Sequence, residues 1–127
     1  MEKQYKDFGD FLHQKRTERK ISYRDLGKII GVEAPYISDI EKGRRNAPSM
    51  EKLKKISAFF ELSKEEEDLM YNLAGDKAQI VPPDLPEYIV ERHYVSNALR
   101  TAKDLDANEE DWNMLVEELK RRKGAAN

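Results

Sequence analysis

The chain has 127 residues, enough for one domain with a short appendage and too few for a large multidomain enzyme. Charged residues make up 38% and hydrophobic residues 39%, with a mean hydropathy of -0.87, which predicts a small core under a heavily charged surface rather than wholesale disorder. Cysteine is absent, excluding disulfides, thiolate metal sites and cysteine nucleophiles, and a net charge of -2, taken over the whole chain, argues against a polyanionic partner.

In chain order, Tyr5, Phe8, Phe11 and Leu12 recur at helical spacing and predict an amphipathic helix over roughly residues 3–19. Ser22-Tyr23-Arg24-Asp25 has the form of a capping box opening a short helix through Leu26, Ile29 and Ile30, stopped by Gly31. A third helix follows, with Pro35 in its first turn, Tyr36, Ile37 and Ile40 facing inward, and Gly43 at its end. After the basic loop Arg44-Arg45-Asn46-Ala47-Pro48, Ser49 caps a fourth helix carrying Met50, Leu53, Ile56, Phe59 and Phe60. Ser63 and Glu66 form another capping box, opening a fifth helix with Leu69, Met70 and Leu73 inward and Gly75 as its stop.

Residues 76–85, with Pro82-Pro83, read as a linker. Pro86 starts a sixth helix to about Lys103, and Asp106 or Asn108 starts a seventh with Trp112, Leu115, Val116 and Leu119 on one face. No stretch alternates as a strand, so the fold class is all-α. The expected organisation is a five-helix domain over 1–75, the linker over 76–85 and a two-helix segment over 86–127. No apolar run approaches the ~18–20 residues that span a bilayer, and the beginning MEKQYKDFGDF has no apolar signal-peptide stretch. A cytoplasmic protein without membrane contact is expected.

Charge divides with this organisation. Residues 1–62 hold 14 Lys/Arg against 10 Asp/Glu, a net of +4, and residues 63–127 hold 9 against 15, a net of -6. A basic head and an acidic tail replace the near-neutral whole. In the head, two short helices around a glycine-centred turn, the second followed by a basic loop, have the spacing of a helix-turn-helix. Gly27 and Gly31 stand where the helices cross closely, and the exposed side of the second helix is free to enter a major groove.

The run from Ser22 to Val32, continued by Tyr36-Ile37-Ser38-Asp39-Ile40-Glu41-Lys42-Gly43 and Arg44-Arg45-Asn46-Ala47-Pro48, resembles the xenobiotic-response-element family of bacterial and phage regulators, the lambda-repressor and Cro-like helix-turn-helix proteins. The resemblance covers about residues 5–60. It implies a five-helix domain that binds double-stranded DNA, with Glu33, Ala34, Pro35, Tyr36, Ser38 and Asp39 toward bases. Tyr23, Arg24, Lys42, Arg44, Arg45 and Asn46 would meet phosphates, and Arg16 and Glu41 would form an internal salt bridge. The sequence departs from the family's pattern at the base-facing positions, which lack the Gln, Asn or Arg that bond adenine or guanine bidentately. Asp39 or Glu33 could accept from a cytosine amino group, Tyr36 or Ala34 could touch a thymine methyl, and phosphate contact and DNA shape would carry the rest.

The remaining features have bland explanations. Glu65 to Asp68 suit the positive end of a helix dipole better than a metal, His13 and His93 have no partner at ligand spacing, and Lys120 to Lys123 complement a helix C-terminus. No metal or cofactor is expected. Trp112, Leu115, Val116 and Leu119 either close back on the first domain as extra core or form a homodimer seam, and the seam is favoured since a two-helix appendage after a proline linker has few other ways to cover that stripe. The expected function is a sequence-specific transcriptional regulator, a homodimeric repressor of phage or mobile-element type acting by operator occlusion. The alternative is an antitoxin or interaction module whose acidic C-terminal half binds a partner protein. Nothing in the sequence offers a catalytic constellation, so no enzymatic activity is expected.

Overall fold

A computed structural model describes residues 4–124, and the elements among them are all α-helices. The chain divides into two compact units with the boundary after Pro86. The first holds α1 (Phe8–Glu18), α2 (Tyr23–Ile30), α3 (Ala34–Glu41), α4 (Met50–Phe60) and α5 (Lys64–Ala78); α6 (Pro86–Val90) begins at the boundary, and α7 (His93–Asp104) and α8 (Glu109–Lys123) follow. No described helix is long and apolar enough to cross a membrane.

The helix ends follow from local chemistry. Ser22 and Asp25 bond each other's backbone N–H groups at the start of α2, as Ser63 and Glu66 do at α5 and Asn108 and Asp111 at α8. Gly31 ends α2 in the left-handed region at φ 83°, a conformation that costs glycine nothing. Ser49 sits at the N-cap of α4 as expected, but its hydroxyl makes no capping bond.

Three boundaries differ from the sequence reading. The first helix starts at Phe8, not near residue 3, because Asp7 accepts from the Asp10 N–H and caps it there; residues 1–3 lie outside the described part. Gly75 does not stop α5, which runs on to Ala78 and ends with Gln79 left-handed. That glycine is instead a landing place for the chain: a Cβ on it would lie 2.9 Å from the Ile80 carbonyl oxygen and from Pro82 backbone atoms. The expected sixth helix is broken in two at Glu91-Arg92. The Arg92 guanidinium donates to the Tyr88 carbonyl at 3.0 Å and lies over the Tyr88 ring, so a side chain takes the acceptor that the Arg92 N–H would use in a continuous helix.

The core of the first unit draws on all five helices, with Phe8, Phe11 and Leu12 meeting Leu26, Ile30, Ile37, Ile40, Leu53, Ile56, Met70 and Tyr71. Helix α3 packs against both α1 and α2. A Cβ on Gly9 of α1 would fall 2.5 Å from the Ile40 carbonyl oxygen, and one on Gly27 of α2 would fall 2.5 Å from that of Val32. Glycine therefore sets how closely the end of α3 approaches α1 and how closely the turn before α3 lies on α2.

An ion pair of 2.6 Å between Lys15 and Glu66 joins α1 to α5. The hydrogen bond from Lys15, followed by that from the Ser63 backbone, holds the Glu66 carboxyl below its ordinary pKa of 4.5. A group whose pKa falls on folding adds stability that is complete above its unfolded value and is lost as pH drops through the folded one. Glu66→Gln retains the cap acceptor and removes the charge. Its melting temperature should lie below that of the parent at pH 7 and converge with it as pH falls below 4.5.

In the second unit none of the described residues of α6, α7 or α8 is buried. The exposed large apolar side chains of α8 include Trp112, Leu115, Val116 and Leu119.

Candidate nucleic-acid interface

Helix α3 is held from behind and left open in front. Ile37 and Ile40 are fully buried, while Glu33 and Pro35 are exposed and Ala34, Ser38 and Asp39 are half-buried. Tyr23 at the first turn of α2, then Ala34, Pro35, Ser38 and Asp39 of α3, and Arg44 of the following loop together line one hollow of about 420 Å³. Four of the six residues expected to face bases thus share a surface with two of those expected to meet phosphates, while Glu33 and Tyr36 do not line it. Arg24, Lys42, Arg45 and Asn46 are exposed as well.

The loop after α3 is organised. Gly43 turns it with φ 78°, the Arg44 N–H donates to the Asp39 carbonyl at 2.8 Å, and Lys77 from the last turn of α5 donates to the Gly43 carbonyl at 3.0 Å. Lys77 was missed in the sequence, since its partner lies 34 residues away. The Arg44 guanidinium stands 3.6 Å from the Asp39 carboxylate, and Arg45 lies over the Tyr36 ring at 4.5 Å. Both arginines are therefore oriented by α3 rather than left to wander. Tyr36 has two faces to serve, one packed on the core and one under Arg45.

Below this surface, α3 ends in a buried charge. Glu41 keeps 3% of its side chain exposed and Arg16 11%, and Arg16 bonds it through Nε at 2.7 Å and Nη2 at 3.0 Å. Arg16 also donates from Nη1 to the Ile21 carbonyl at 2.8 Å and lies 4.3 Å over the Tyr23 ring. The hydrogen bond to Glu41 raises the Arg16 pKa above its ordinary value. One guanidinium thus ties the end of α3 to the segment that enters α2.

His13, expected only to lack a partner at metal-ligand spacing, has a hydrogen-bond partner in Glu41. Its Nδ1 stands 2.9 Å from Glu41 Oε1, 28 residues away, and the available signal was its position three residues before Arg16 on the same helix face. Among the described residues no group of His, Asp and Glu could hold a metal ion.

Residues 12–66, which span α2, the tight turn at Gly31, α3 and its loop, match the family model described as helix-turn-helix. That stretch of the first unit is similar to helix-turn-helix domains. No curated protein matches the chain. Among solved structures, a chain of the SinR protein/SinI protein complex is similar at 22% identity, with a TM-score of 0.41 over 92% of this chain and 98% of that one.

The all-α expectation is borne out, with the helix-turn-helix domain followed by further helices. Within the helix-turn-helix, Gly27 and Gly31 do different work. At Gly27 the constraint is space, and at Gly31 it is dihedral angle, since a Cβ there would meet nothing within 4 Å.

Proposed function

We propose that the protein is a sequence-specific DNA-binding transcriptional regulator of the lambda-repressor and Cro-like, xenobiotic-response-element kind, a cytoplasmic homodimer that represses by occluding an operator. The observation that carries this reading is the hollow shared by Tyr23, the open side of α3 and Arg44, with Arg45 seated beside it on Tyr36. Helix α3 lies in the major groove, Tyr23, Arg24, Lys42, Arg44, Arg45 and Asn46 meet phosphates, and Asp39 accepts from a cytosine amino group once Arg44 turns from it to the backbone. Two heads on half-sites one helical turn apart multiply a modest single-head affinity, which is what the exposed stripe of α8 serves.

The test is a fluorescence-anisotropy titration against palindromic duplexes from the DNA upstream of the protein's own gene, over a series of salt concentrations. Binding should weaken linearly on a log–log plot. The pair Arg44→Ala and Arg45→Ala should weaken every sequence by roughly tenfold or more and reduce the salt slope by about two, without moving the melting temperature. Absence of binding at low salt would overturn the reading.

A further inference from the structure

The apolar stripe of α8 and the charged turns at its two ends are both centred between Leu115 and Val116, although Met114 and Asn113 fall opposite Glu117 and Glu118. Counting outward from that midpoint, Leu115 is matched by Val116, Trp112 by Leu119, and the acidic run Glu109-Glu110-Asp111 by the basic run Lys120-Arg121-Arg122. The stripe is open, with Trp112 39%, Leu115 56%, Val116 47% and Leu119 55% exposed. At the helical repeat, Glu109, Lys120 and Lys123 border it on one side, while Asp111 and Arg122 border it on the other. Arg121 faces away and is paired with Glu118 of its own helix, and Lys120 stands 3.6 Å from the exposed Glu117, a loose pair that leaves its other donors open to a partner.

A second copy of the same helix complements this pattern in one direction only. Laid parallel, two α8 helices bring acidic turn onto acidic turn and basic turn onto basic turn. Laid antiparallel, they match Trp112 to Leu119 at both ends of the seam and each acidic turn to the partner's basic turn, Glu109 near Lys120 and Lys123 and Asp111 near Arg122 on the same border. We propose that α8 pairs antiparallel with α8 of a second copy, about a two-fold axis between Leu115 and Val116. This rests on the homodimer reading above and adds its orientation. The partner it selects is another copy of this chain, because a different helix would have to reproduce both patterns about one centre.

The chain has no cysteine, so introduced ones are free of background. Glu109→Cys and Lys120→Cys leave the apolar stripe and the Asn108–Asp111 capping box intact. In the full-length protein, treated with a short bismaleimide, covalent dimer should accumulate when the two variants are mixed and stay at background with either alone. Dimer from each variant alone would mean a parallel pair and overturn the proposal, while a wild-type dimer that crosslinks in no combination would place the seam elsewhere and overturn it too. Sedimentation equilibrium of the unsubstituted chain separates the two levels: a monomer at tens of micromolar removes the homodimer reading together with the orientation, whereas a dimer with the wrong crosslinks removes only the orientation.

Discussion

Arg16→Ala should lower the melting temperature of the first unit by at least about 10 °C. The substitution strands the Glu41 carboxylate, whose side chain is only 3% exposed, with His13 as its remaining partner. Removing one member of a buried ion pair costs about 3–5 kcal/mol, and in a domain of this size each kcal/mol moves the midpoint by roughly 4–8 °C. The loss of the Ile21 carbonyl's donor and of the guanidinium over Tyr23 adds to it. Arg16→Met combined with Glu41→Leu should recover most of the loss, because it removes the charge along with its partner. Thermal unfolding followed by circular dichroism checks both variants. An unchanged midpoint for the single substitution would show that the pair is solvated in solution and does not hold α3.

Gly27→Ala should cost about 3 kcal/mol, although alanine is the better helix former by ~1 kcal/mol. Propensity loses here because the added carbon lies 2.5 Å from the Val32 carbonyl oxygen, a backbone atom that cannot rotate aside. Relief requires the turn at Val32 to move off α2 and to carry the start of α3 with it, so on the proposed function DNA affinity should fall with stability. Gly31→Ala is the contrasting case. It has room but must hold φ near 83°, a strain of about 1–2 kcal/mol for an L-residue, and should leave the α2–α3 approach as it is. A midpoint for Gly27→Ala at or above that of the parent would mean that the turn at Val32 lies less closely on α2 than the structure has it.

What could be read in the sequence was whatever is decided within a few residues. The capping boxes at Ser22 and Ser63 and the left-handed stop at Gly31 are short-range chemistry, and each stands where its pattern put it. The pairing of Arg16 with Glu41 came from family resemblance, since two charged residues 25 positions apart give no local signal. Contacts across the fold stayed hidden for the same reason. Nothing near Gly9 announces the Ile40 carbonyl, nothing near Lys77 announces Gly43, and Gly75 carries the signature of a helix stop while serving as a packing surface. The break at Arg92 was missed because a side chain replaced a main-chain hydrogen bond, and periodicity registers neither. At the candidate interface the residues were legible, but their partnerships, Arg44 with Asp39 and Arg45 with Tyr36, depend on where the loop turns after α3.

The division of labour along α3 has a consequence for how such a surface can change. Ile37, Ile40 and Glu41 are committed to the core and to Arg16, whereas Pro35, Ser38 and Asp39 touch the hollow and contribute nothing to the buried cluster. Substitutions at the second set leave the buried cluster untouched, so they should be randomised together at small cost to folding. The scaffold is in that sense a holder with an exchangeable bit, and a library over Pro35, Ser38 and Asp39 would sample new recognition surfaces with few members lost to unfolding.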